Sequence, residues 1–211
     1  MKKNIKATSI VEALVIMLIV VMGIVGMYDI FSRSKALSVS TGNRIVAIQI
    51  AREGVEALTN IRNTNTLLFS ADLENCWNTL NYDVNCISNT GTGTDIQNNT
   101  SFVVYKDIDN RWKLQEEISS GTGYRDSNYR NDFRVNFDGD GLYTQSGGTN
   151  FAPLFTREIL INYEDTDGDM TPTSNDEKMN IASIVRWGDS SSSEPYEIRL
   201  DLLLSNWEGE D

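Results

Sequence analysis

The side chains that could do chemistry in this chain are carboxylates and one pair of thiols, because the sequence contains no histidine. Without histidine, Ser-His-Asp and Cys-His catalysis are excluded, and the commonest metal ligand is missing. No GxxxxGK[ST] loop occurs, so the chain has no P-loop nucleotide site. We therefore predict that the protein is not an enzyme and requires no cofactor. A hydrolase with paired carboxylates is the enzymatic alternative.

The densest group of carboxylates lies in a loop predicted for residues 164–178. Asp165, Asp167 and Asp169 alternate with other residues, and this spacing can wrap carboxylates around Ca²⁺, which takes six to eight oxygen ligands. The pattern departs from an EF-hand, because Met170 stands where the turn glycine belongs. We name these three aspartates as candidate Ca²⁺ ligands, with a solvated acidic turn as the alternative.

The only two cysteines, Cys76 and Cys86, are close in sequence. Outside the cytoplasm they are expected to form a disulfide, which would stabilise the fold by about 2–3 kcal/mol for a ring this small. Free thiols are the alternative. Two cysteines alone make a poor metal site.

Glu12 is the third feature, because its carboxylate stands at the start of an apolar stretch. Residues 13–28 carry no charge and would span about 24 Å as a helix, somewhat less than the ~30 Å hydrocarbon core of a membrane. Three lysines precede the stretch, so we predict a cytoplasmic N-terminus and an external remainder. A plain membrane anchor would not be expected to carry a glutamate here. The alternative is that the Glu12 carboxylate extends to the cytoplasmic interface of such an anchor.

The element that carries Glu12 is predicted to be one long helix from about residue 9 to residue 63, with no proline in it. Its first half is apolar all round. Its second half has apolar residues at spacings of three and four, with one wider gap around Thr41, which predicts one buried stripe. The stripe comprises Leu37, Ile45, Ile48, Ala51, Val55, Leu58 and Ile61. Two helices with a kink near Thr41-Gly42 are the alternative.

Beyond residue 63, apolar residues alternate with polar ones in short segments separated by Asn, Thr, Ser and Gly. This pattern predicts strands over residues 133–137, 159–163, 179–187 and 196–204. Strands of this kind form an antiparallel sheet with one buried face, which the amphipathic half of the helix can cover. The predicted fold class is therefore α+β: a long N-terminal helix packed on a C-terminal antiparallel sheet that forms the head.

The segment Lys6-Ala7-Thr8-Ser9-Ile10-Val11-Glu12 resembles the processing site of type IV pilins and pseudopilins. That family has a short basic leader, a small residue before the cut and glutamate as the fifth mature residue. A cut between Ala7 and Thr8 makes Glu12 the fifth. Ala7 stands in place of the usual glycine and Thr8 in place of the usual methylated phenylalanine, so the chain resembles a minor or divergent member.

The resemblance implies a leader over residues 1–7, a membrane and filament-core segment over 8–31, an amphipathic half-helix over 32–63 and an external head over 64–211. It also implies cleavage by a separate prepilin peptidase, methylation at Thr8, and assembly with other pilin subunits into a filament on the cell surface. Glu12 would pair with the charged N-terminal amine of Thr8 in a neighbouring subunit, since each group offsets the other's desolvation.

Nucleic acid is not an expected partner, because the net charge of −12 repels phosphate backbones. The alternative function is a single-pass, membrane-anchored binding protein, or a calcium-dependent adhesin, that never polymerises.

Overall fold

The computed structural model describes residues 10–89, 95–119, 121, 123–151, 154–166, 168, 170–174, 177–188 and 194–206. Its helices and strands, in chain order, are α1 Ile10–Leu68, α2 Leu73–Cys76, the 3₁₀ helices Leu80–Tyr82 and Val84–Asn89, β1 Thr100–Lys106, β2 Trp112–Glu116, α3 Ser127–Asp132, β3 Asn136–Phe137, β4 Tyr143–Thr144, β5 Phe155–Glu164, β6 Lys178–Trp187 and β7 Tyr196–Ser205. The chain divides into two compact units, Met1–Arg44 and Ile45–Asp211.

Helix α1 confirms the prediction of one long helix and continues through Thr41 and Gly42 without a break. It ends five residues later than predicted, because the polar run after Arg62 is held by tertiary contacts. Asn65 is fully buried, and its Nδ2 donates to the carbonyl oxygens of Trp77 and Thr79 at 3.2 and 2.9 Å. These hydrogen bonds support the last turns of a helix whose local sequence favours a turn.

The second unit is built on a five-stranded sheet of order β2-β1-β5-β6-β7, in which every neighbouring pair is antiparallel. The predicted strands at 159–163, 179–187 and 196–204 are confirmed as parts of β5, β6 and β7. The α+β class is thus confirmed: the C-terminal part of α1 packs on one face of this sheet.

The helix residues that contact the sheet are not all those predicted. Ala51, Leu58 and Ile61 are buried as expected and Val55 is partly buried, but Leu37, Ile45 and Ile48 are 69%, 53% and 37% exposed. The buried face combines the small residues Ala47, Ala51, Gly54 and Ala57 with the larger Ile50, Leu58 and Ile61. The small side chains let the helix backbone approach the sheet closely, and the larger ones fill the space beside them.

The predicted strand at 133–137 is largely wrong. Phe133 caps the C-terminus of α3, Arg134 forms an isolated antiparallel bridge with Thr156 of β5, and Asn136 and Phe137 form a two-residue strand that pairs with β4. Phe133 is buried with Tyr129 and Val103, so its burial comes from packing on the far face of the sheet and not from strand alternation. Strands β1 and β2 were not predicted.

Gly54 is the point of closest approach between α1 and the sheet. A Cβ atom at this position would lie 2.6 Å from Ser183 Oγ and 2.8 Å from Ile159 Cδ1. Gly54→Ala should therefore lower the free energy of unfolding by about 1–3 kcal/mol, although alanine favours a helix by about 1 kcal/mol. Urea unfolding of the full chain in detergent, followed by circular dichroism, measures the change.

Ser183 supplies the matched control, because its buried Oγ has no hydrogen-bond partner among the described residues. Ser183→Ala alone should be close to neutral, and it should recover part of the loss in the Gly54→Ala background, since it removes the nearest clashing atom. A Gly54→Ala variant more stable than the parent would show that helix propensity outweighs the close contact.

Candidate functional site

The first candidate site is Glu12 in an uncovered apolar helix. Every residue from 10 to 39 is exposed, including large apolar side chains such as Leu14, Ile19 and Val25 at 60% or more. Glu12 lies in the first turn of α1, where a negative charge is favoured by the helix dipole. The next charged residue is Asp29, which forms an exposed ion pair with Arg33 at 3.0 Å. The helix thus presents one carboxylate beside a long apolar surface.

This part of α1 is long and apolar enough to cross a membrane, and none of it is buried within the protein. Apart from the backbone of the helix itself, no described atom lies within 4 Å of the place that a Cβ would occupy at Gly23 or Gly26, so these positions leave open surface on which another helix can pack closely. The cleavage residues Ala7 and Thr8 lie outside the described residues, and cleavage before Thr8 stays a prediction.

Cys76 and Cys86 form the expected disulfide, with Cα atoms 5.2 Å apart. Both cysteines are buried against Phe69. The ring they close carries Asn81 and Tyr82, two non-glycine residues with φ of 56° and 65°. The disulfide therefore closes a loop in which Asn81 and Tyr82 adopt left-handed backbone conformations. The conformational free energy that this costs must be offset by the contacts of the loop.

Those contacts cover the free edge of β2. Asn81 Nδ2 donates to the Leu114 carbonyl at 2.8 Å, and the Leu114 N–H donates to Asn81 Oδ1 at 2.9 Å. Tyr82 Oη donates to the Trp112 carbonyl at 2.8 Å. The side-chain amide of Asn81 thus replaces a neighbouring strand, and this edge of the sheet is closed to further pairing.

The acidic loop connects β5 to β6, as predicted, and its ends are joined by the pair Glu164 and Lys178. The Asp165 carboxylate already accepts two backbone N–H groups, from Gly168 at 2.7 Å and Met170 at 2.9 Å. Asp167 and Asp169 lie outside the described residues. In the described part of the chain no three His, Cys, Asp or Glu side chains are grouped so as to hold a metal. Calcium binding at this loop stays a prediction.

Arg157 is a buried cation that the sequence did not single out. Its guanidinium is fully buried and donates to Glu53 Oε1 at 2.8 Å, to Gln145 Oε1 at 2.9 Å and to the carbonyls of Ile50 and Val104 at 3.3 and 3.1 Å. Burial lowers the pKa of Arg157, and the Glu53 carboxylate opposes that change. The ion pair with Glu53 fixes α1 on the sheet.

Gln145 completes this buried cluster. The β1–β5 ladder ends at Phe102, and beyond it the Val104 N–H donates to Gln145 Oε1 at 3.2 Å. Gln145 Nε2 donates to the carbonyls of Arg157 and Phe133 at 2.7 and 3.2 Å. The side chains of Arg157 and Gln145 thus fill the gap where the two strands separate, which satisfies the backbone groups there.

The face of the sheet opposite α1 carries an ion-pair network that ends on β7. Arg186 donates to Glu158 at 2.9 Å and to Glu197 at 2.7 Å. Burial acts to raise the pKa of Glu158, but hydrogen bonds from Tyr129, Ser101 and Arg186 prevail and lower it. Further along β7, Arg199 and Asp201 pair only with each other, at 2.8 Å, among the described residues.

A search of the chain against family models, curated proteins and solved structures finds no match. The chain is an α+β protein with an apolar N-terminal helix that suits a membrane, and a disulfide-bonded head.

Proposed function

We propose that this chain is a structural subunit of a type IV pilus or pseudopilus, a minor member that is not an enzyme. It is inserted in the cytoplasmic membrane, cut before Thr8 by a separate peptidase and assembled through its N-terminal helix into a filament outside the cell. The head, which begins where α1 meets the sheet, forms the filament surface.

The observation that carries this proposal is the carboxylate of Glu12 at the start of the exposed apolar part of α1, followed by 16 residues without a charge. Apolar side chains from Ile10 to Phe31 have no partner within the described chain, so lipid or other copies of the helix must cover them. A filament core offers the same apolar environment as the membrane, which lets a subunit pass from one to the other. In that core Glu12 requires a cation, and the N-terminal amine of a neighbouring Thr8 would supply it.

Glu12→Gln should leave membrane insertion intact and reduce incorporation into filaments by about tenfold or more. The variant leaves the neighbour's amine without a counter-charge in an apolar core, at a cost of several kcal/mol, and each 1.4 kcal/mol is a factor of ten. The measurement is the ratio of filament to membrane protein, by quantitative immunoblotting of sheared and membrane fractions.

Asp29→Asn is the matched control, because it removes the other acidic group of the same helix segment. Its ion pair with Arg33 is exposed and worth little, so this variant should assemble normally. Normal assembly of Glu12→Gln would remove the ion-pair account.

The intact mass of the protein isolated from its own cells tests the processing step directly. A chain that starts at Thr8, with or without one added methyl group, supports the proposal. A chain that still starts at Met1 would make the protein a membrane-anchored binding protein that does not polymerise.

A further inference from the structure

The two edges of the sheet differ. At β2, side chains of the disulfide ring occupy the outer backbone groups, as described above. At β7, the only hydrogen bond from the described residues outside β6 to the strand's backbone is from Arg62 Nη1 to the Ser205 carbonyl, at 3.4 Å. A ten-residue strand therefore presents an open row of N–H and C=O groups.

This asymmetry limits how copies of the chain can join their sheets. If β7 of one copy paired with β2 of the next, the copies would build an open fibre. This arrangement is excluded because β2 is closed to pairing. The remaining arrangement places β7 against β7 of a second copy, which is symmetric and stops at two copies. Two such strands related by a two-fold axis are antiparallel.

We propose that β7 is a docking edge for β7 of a second copy of this chain, in the register that places Leu200 opposite Leu200 and Arg199 opposite Asp201. In this register two ion pairs cross the junction, each between Arg199 of one copy and Asp201 of the other. Ile198 of each copy lies opposite Leu202 of the other. The strand is used along its full length, because Tyr196 then lies opposite Leu204.

The charges of β7 select this register over its neighbours. Moving the two-fold axis by one residue, which slides one strand past the other by two residues, places either Arg199 opposite Arg199 or Asp201 opposite Asp201, and like charges directly opposite each other destabilise a sheet. A larger shift that pairs Glu197 with Arg199 places Tyr196 opposite Leu200 and so shortens the overlap to residues 196–200. Arg199 and Asp201 are 49% and 64% exposed and so are available to a second copy.

The pairing joins copies that face each other. Helix α1 runs in the same direction as β7, because Ala47 and Ile50 pack near Ile198 while Leu58 and Ile61 pack near Leu204. In the antiparallel pair the two segments 45–68 therefore run in opposite directions. The contact therefore joins two heads whose helices point in opposite directions, and not neighbouring subunits whose helices point the same way. It needs neither cleavage before Thr8 nor Glu12, so it can fail or hold independently of the proposed filament.

The test uses single cysteine variants of the full chain in detergent, treated with a mild oxidant. Leu200→Cys should give a covalent dimer, because directly opposite Cα atoms in an antiparallel pair are about 4.5–5.5 Å apart, within disulfide range. Leu203→Cys should not, since the two copies of that residue would be about 20 Å apart. Cross-linking through Ile198→Cys but not Leu200→Cys would overturn the register.

Charge reversal separates the proposed contact from association through the apolar helix. Asp201→Arg should raise the dissociation constant of the dimer by about tenfold, as measured by sedimentation velocity. The double variant Arg199→Asp with Asp201→Arg should restore dimerisation, because opposite charges again face each other across the junction. The proposal is overturned if the parent chain stays monomeric over a 100-fold range of concentrations that ends at its highest soluble concentration. It is also overturned if a dimer forms and Asp201→Arg leaves its dissociation constant unchanged.

Discussion

Replacing Arg157 by alanine should be the most damaging single substitution in the head, with a loss of about 3–5 kcal/mol in the free energy of unfolding. The guanidinium donates hydrogen bonds to α1, to β1 and to Gln145, and all of them end at buried or partly buried acceptors. Removing it leaves the Glu53 carboxylate without its counter-charge and the Val104 carbonyl without its donor, which costs more than the ion pair contributes. Chemical unfolding of the full chain in detergent measures the loss.

Two further variants show whether the loss comes from the missing charge or from the missing side chain. Glu53→Gln keeps a hydrogen-bond acceptor for Arg157, and because Glu53 is 26% exposed this variant should lose less than half as much stability. Arg157→Met fills the space without the charge. If Arg157→Met were as stable as the parent, packing alone would account for the role of Arg157, as is found for some buried ion pairs.

Arg157 also shows which part of the fold the sequence could not provide. A period of two in β5 predicts that Arg157 shares a face with Ile159 and Ile161, and that face is the buried one. An arginine there contradicts a purely apolar core. Its partners, Glu53 and Gln145, are 104 and 12 residues away in the chain and have no local signal. Only the tertiary structure identifies such a cluster.

The helix and the long strands could be predicted because they follow simple periods over many residues. The face of α1 that packs was predicted only in part: Ala51, Leu58 and Ile61 lie on it, but the prediction also included the exposed Ile45 and Ile48 and gave no weight to Gly54. Strands β1 and β2 were missed because neither shows a period of two: in β1 the residues Phe102, Val103 and Val104 are all buried, and in β2 Leu114 is the one fully buried residue. Glu12 could be singled out from the sequence alone, because a charge in an apolar run is visible without knowledge of its partner, and its role in assembly stays a prediction.

Removal of the disulfide should have the second-largest effect. The pair Cys76→Ser and Cys86→Ser should lower the free energy of unfolding by about 2–3 kcal/mol, since the unfolded chain gains entropy when the ring opens. The ring also holds Asn81 and Tyr82 in left-handed backbone conformations over the edge of β2. Without it that edge should open, and we expect aggregation that rises with concentration, because an exposed edge strand pairs with other chains.

Asn81→Gly separates these two consequences. Glycine adopts a positive φ without strain, so the ring keeps its backbone path while the amide that pairs with Leu114 is lost. This variant should retain the disulfide and most of the stability, yet aggregate more than the parent in light-scattering measurements at equal concentration. If only the cysteine variant aggregates, the ring protects the head through stability alone. If both do, the disulfide loop is a cover for β2, which leaves β7 as the one edge of the sheet open to a second copy among the described residues.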